Sequence, residues 1–155
     1  MRCWDKRLIP LLPDEQLIEQ WNDCCSIAAN LAKYGTPDDI LVNVVTEYTT
    51  DHFYTYTIEL VHKEMLKRHL KVDPFTMQRF LDNLFEYCGY SNFTIIDEPF
   101  LYQGWMSTRY LEQCIMILEE LYDRGGLELK DWFKIVNGVR NMSVFCDETF
   151  ESLFA

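Results

Sequence analysis

The chain has 155 residues, enough for one domain with a real core, and its 48% hydrophobic and 15% aromatic content marks it as globular rather than disordered. Its formal charge of −11 opposes generic nucleic-acid binding, which draws most of its affinity from a basic surface. No apolar run reaches the ~18 residues that a membrane span needs, and Met1–Asp5 lacks the apolar core of a signal peptide, so a cytoplasmic protein with no membrane partner is expected. The charge is also uneven. Between Lys33 and Lys63 there is no Lys or Arg, whereas Asp38, Asp39, Glu47, Asp51 and Glu59 all fall there.

In chain order, Leu8–Leu12 is an apolar leader ended by Pro13, read as an irregular or strand-like arm. Asp14 then caps a helix running to about Tyr34, which Gly35 and Pro37 stop. Leu17, Trp21, Cys24/Cys25, Ala28 and Leu31 recur at helical spacing and form its core stripe, with Asn22, Asp23 and Ser26 beside it. Asp38 or Asp39 can cap a short helix over Ile40–Tyr48, although the β-branched run there keeps a strand open. Asp51 opens a helix to about His69, with Phe53, Tyr56, Leu60, Val61 and Met65 on one face. Asp73 and Pro74 read as N-cap and first residue of the next helix, which ends near Gly89. Residues 90–106 lack a helical period and are expected as a packed loop. Ser107 caps a helix that Gly125-Gly126 ends, and a short helix spans about Lys130–Val139. The expected fold is all-α, a single compact helical domain of five or six helices over residues 1–140. Residues 141–155 form an acidic-aromatic tail, either docked as a helical turn or free to bind a partner.

Motifs narrow the chemistry mainly by exclusion. The six cysteines (3, 24, 25, 88, 114 and 146) have no metal-ligand spacing and read as buried reduced thiols. His52, His62 and His69 lie on or near one predicted helix. A metal site shared with a second helix is one reading, and exposed or capping histidines are the favoured one. No HExxH, Walker, GxGxxG or GxSxG motif occurs. Neither a metal nor a cofactor is expected.

Four stretches carry more: LIPLLPDEQLIEQWNDCCSIA, GTPDDILVNVV, DHFYTYTIELVHKEMLKRHLKV and RYLEQCIMILEELYDRGG. In order and spacing they resemble the pyrimidine-dimer DNA glycosylase family, the relatives of phage endonuclease V. The resemblance implies a compact helical fold whose N-terminal arm packs beside helix 1. It also implies an enzyme that cuts the glycosidic bond of a damaged pyrimidine and then the DNA strand. Its nucleophile would be the α-amine of Met1, expected to stay the terminus because Arg2 is bulky. An α-amine is less basic than a lysine, so a useful fraction is neutral near pH 7 without burial. Asp23 would be the carboxylate that handles protons and stabilises the Schiff base. Arg2, Lys6, Asn22 and Ser26 would face the DNA backbone.

The pattern departs from the family on one face. Asn22-Asp23 stands where the family has Arg-Glu, Ser26 where phage members carry another arginine, and Asp38-Asp39 where related turns read Asn-His. Asp is one methylene shorter than Glu, and a displacement of ~1 Å can cost about 100-fold in rate. Two main expectations follow. Either the protein acts on damaged double-stranded DNA with reduced activity, or it is an inactive derivative. In the second case its acidic face would bind a basic DNA-handling protein, as a DNA mimic or phage-type inhibitor. A small-ligand cleft between the arm and helix 1 is a third.

Overall fold

The structure, a computed structural model, describes residues 1–142; most of the expected acidic-aromatic tail lies outside the described residues. Helix α1 (Asp14–Tyr34) forms where its apolar spacing predicts and ends on Gly35, whose φ of 74° lets its N–H return to the Leu31 carbonyl at 2.9 Å. Its start differs from expectation. Pro13 takes the cap position and its carbonyl receives the Leu17 N–H at 3.0 Å. Asp14 is instead a first-turn residue, favoured there by the helix dipole, and it accepts from Arg68 at 3.1 Å.

The buried face of α1 lies on α4 (Pro74–Cys88), with the Trp21 and Phe80 rings 5.9 Å apart. Helix α4 starts as the sequence predicts: the Asp73 carboxylate accepts the Phe75 N–H at 2.9 Å and Pro74 fills the first turn. Between α1 and α4 in sequence runs one rod over 50–67. It is α-helical in α2 (Thr50–Tyr54), π-helical over Thr55–His62 and α-helical again in α3 (Lys63–Lys67). An uninterrupted α-helix was expected here. Thr55, Tyr56 and Thr57 are all buried, so the rod is enclosed on several sides rather than laid on one face.

Two further expectations change. Residues Lys6–Leu11 form a 3-10 helix, not a strand-like arm, because the Asp5 carboxylate caps it through the Arg7 N–H at 2.9 Å. Over 40–48 the chain makes only a 3-10 turn, Asn43–Glu47, that buries Val42 and Val45 and leaves Ile40 90% exposed. Helix α5 (Thr108–Asp123) is capped by Ser107, whose hydroxyl accepts the Tyr110 N–H at 3.2 Å. Helix α6 (Leu129–Arg140) lies on the Lys6–Leu11 turn at Gly138, where an added Cβ would come within 2.4 Å of Leu11. The fold is all-α: six α-helices and no strand among the described residues, in one compact domain with the N-terminal arm beside α1. No described helix is long and apolar enough to cross a membrane.

Candidate active site

Residues 1–5 belong to no helix, so their backbone groups must find partners elsewhere. Side chains from three elements supply them. On α1, Gln20 accepts the Trp4 N–H at 2.7 Å through Oε1 and donates Nε2 to the Arg2 carbonyl, also at 2.7 Å. From the π-helical turn, the Tyr56 hydroxyl donates to the Trp4 carbonyl at 2.6 Å and lies 3.1 Å from Gln20 Oε1. From α5, the Tyr110 hydroxyl donates to the Cys3 carbonyl. Gln20 and Tyr56 are buried, so these bonds fix the arm with little competition from water.

Towards the chain start the clamp opens. Asp23 Oδ2 accepts the Arg2 N–H at 3.1 Å, and the Met1 amine donates to Asp39 Oδ2, also at 3.1 Å. Asp39 is itself fixed: its Oδ1 accepts the Leu41 N–H at 2.9 Å, and its own N–H reaches Asn43 Oδ1 at 3.1 Å. From α1, Asn30 steadies the same turn by donating to the Pro37 carbonyl at 2.9 Å. The partly exposed amine therefore sits at the end of a clamped arm, bonded to Asp39, with Asp23 bonded to the next N–H along the chain.

Those carboxylates are tuned in opposite directions. Burial raises Asp23 above the usual aspartate range, against the pull of the Met1 charge and the Arg2 N–H. Asp39 is held below that range, first by the Leu41 N–H and then by the Met1 amine. One is set towards carrying a proton and the other towards staying ionised.

Of the residues singled out from sequence, Met1, Arg2 and Asp23 come together. The Arg2 guanidinium lies 4.6 Å from the centre of the Trp4 ring, a cation–π contact at the mouth of the site. Asn22 and Ser26 are exposed on the adjoining surface of α1. Lys6 must be corrected. It is 8% exposed, and its Nζ donates to the Glu98 and Leu101 carbonyls at 2.6 and 2.7 Å, so it ties down the 98–101 loop rather than facing DNA. The folding of Leu8, Ile9 and Leu12 into the core carries Lys6 inward with them.

Sequence reading missed Gln20, Tyr56 and Tyr110 as parts of this site, and it read Asp39 as a cap or an acidic departure on the DNA face, not as the partner of the amine. The two tyrosines looked like core. Gln20 carried a usable signal: a polar residue one turn from Cys24 within an apolar stripe needs a buried partner.

The other reactive groups are engaged elsewhere. His52 Nδ1 accepts the Tyr102 N–H at 3.0 Å, and His62 packs on Trp21 with ring centres 5.6 Å apart. No group of three His, Cys, Asp or Glu residues able to hold a metal occurs among the described residues. Burial pushes the thiols up, Cys24 to about 12 and Cys25 and Cys114 to about 11, which removes thiolate reactivity.

A family model described as pyrimidine dimer DNA glycosylase matches residues 1–78. That span contains the arm, α1, the Asp39 turn and the 50–67 rod. No curated protein matches the chain, and no solved structure matches it.

Proposed function

Because the chain belongs to the pyrimidine dimer DNA glycosylase family, we propose that it cuts the glycosidic bond of a damaged pyrimidine in double-stranded DNA and then the strand, with the Met1 amine as nucleophile. The observation that supports this reading is the amine itself, held 3.1 Å from Asp39 at the end of an arm whose next N–H is bound by Asp23.

In the proposed reaction the ammonium first gives a proton to Asp23, which burial has already biased towards the acid form. The nitrogen lone pair then forms a bond to C1′ as the C1′–N bond breaks, its electron pair leaving with the pyrimidine. The second amine proton passes to the departing pyrimidine, and the nitrogen lone pair then opens the sugar ring to an iminium as Asp23 returns its proton to O4′. Asp39, ionised beside that nitrogen, stabilises its positive charge. The iminium acidifies the C2′ proton, and removal of that proton expels the 3′ phosphate. Asp23 is shorter than a glutamate, yet it already reaches the arm at 3.1 Å, so the missing methylene does not separate the carboxylate from the arm.

The competing reading, an inactive scaffold presenting an acidic face to a basic protein, draws on the net charge of −11. A pure binding module has no need of one carboxylate bonded to a terminal amine and a second bonded to the next N–H. Acetylation of the Met1 amine is expected to abolish nicking of abasic-site duplex. Asp23→Asn is expected to slow nicking by about 100-fold, the scale of a lost general acid–base. An acetylated protein that still nicks at the unmodified rate would overturn the proposal.

A further inference from the structure

Helices α1 and α4 present matching stripes across a groove: Cys25, Ser26 and Ala29 on one side, Thr76, Arg79, Phe80 and Asn83 on the other. The cavity between them has a volume of about 270 Å³. Arg79 is the only charged residue in its lining, in a chain whose net charge is −11. Among the described residues Arg79 has no ion pair, since the acid one turn along, Asp82, accepts from Gln78 at 2.9 Å. The Ser26 and Thr76 hydroxyls and the Asn83 amide also have no hydrogen-bond partner among the described residues. A guanidinium flanked by neutral donors and by no carboxylate has the composition of a phosphate grip.

We infer that this groove is a subsite for a DNA backbone phosphate, with Arg79 as its charged ligand and Ser26, Thr76 and Asn83 as neutral donors. The inference rests on the DNA-directed reading above and adds to it the strand's path. Ser26 lies three residues, ~4.5 Å along the helix axis, beyond Asp23. A strand whose damaged nucleotide meets Met1 therefore continues along the α1–α4 groove. No cation stands on the α1 stripe, so α4 supplies the charge from the opposite side.

The test is fluorescence anisotropy with a duplex carrying a tetrahydrofuran abasic-site analogue, titrated over a range of salt concentrations. Arg79→Gln is expected to weaken binding about tenfold at low salt, the scale of one charge-assisted hydrogen bond. It should also flatten the log K against log salt slope by about one. Arg79→Lys should keep the slope but lose part of the affinity, because an ammonium cannot grip with two parallel N–H groups. Adding Ser26→Arg to Arg79→Gln should restore binding by returning a guanidinium to the same groove. Arg124→Gln, at an exposed residue paired with Glu120 outside the groove, should change nothing. Arg79 is exposed, so circular dichroism of its variants should match the parent. If the parent binds and Arg79→Gln binds equally with the same slope, the groove assignment is wrong and the catalytic reading stands. If the parent binds no duplex, both fall.

Discussion

Gln20 is the residue on which the arm's position most depends. Its amide serves two backbone groups at once, the buried Trp4 N–H and the partly buried Arg2 carbonyl. Gln20→Ala leaves both unpaired, and each orphan costs about 1–3 kcal/mol, so a loss of roughly 2–6 kcal/mol is expected in urea unfolding. Tyr56→Phe orphans the Trp4 carbonyl alone and should cost about half as much. A Gln20→Ala protein with an unchanged midpoint would contradict this. His52 gives a second test at the same scale. Its Nδ1 accepts the Tyr102 N–H, a bond only the neutral form makes, and burial lowers its pKa below the ordinary 6.5. His62 is lowered by burial too. Between the folded and unfolded values the unfolded chain binds more protons, so stability present at pH 7.5 is lost as pH falls below about 6.5. The loss levels off below the folded values. The urea midpoint should therefore drop from pH 7.5 to pH 5.5. His52→Asn, which keeps an acceptor that does not titrate in that range, should remove His52's share and leave that of His62.

At the scale of elements, α6 approaches the Lys6–Leu11 turn closely. Gly138 has no room for a Cβ beside Leu11, so Gly138→Ala overpacks the contact and should cost about 1–3 kcal/mol. Leu11→Ala in the same protein should recover part of that loss, and two simply additive penalties in the double-mutant cycle would show that the helices meet elsewhere. Helix limits were largely legible in the sequence where a stop or start has its own chemistry. Gly35 and Gly89 both take positive φ, Asp73 and Ser107 both cap with their side chains, and α1, α4 and α5 follow their apolar spacing. Shorter elements were not. Over 40–48 the apolar residues serve a turn that buries two valines and exposes Ile40, a choice made by tertiary fit rather than by β-propensity. The π-helical turn was also hidden, because hydrophobic spacing does not distinguish it from α-helix over eight residues.

At the scale of the whole molecule, charge and site point in different directions. The net charge of −11 argues against DNA as a bulk property. Near the amine, Asp23 and Asp39 are engaged by the arm and Arg2 stands over Trp4, while Arg79 lines the α1–α4 groove with no carboxylate partner among the described residues. The placement of Met1, Arg2 and Asp23 was legible through the order of short stretches that carried the family resemblance. Asp39 was not, because it comes to the amine across 38 residues of chain, and no local spacing encodes that contact. Lys6 was misread because its charge outweighed the apolar residues that carry it inward. The central claim, that the Met1 amine is the nucleophile, is tested most directly by borohydride reduction during incubation with abasic-site duplex. Proteolysis and mass mapping of the adduct then locate the modified nitrogen. The proposed chemistry predicts a covalent DNA adduct on the peptide that begins at Met1, with Asp23→Asn trapping far less. No adduct, or one carried by an internal amine such as Lys71, would contradict it.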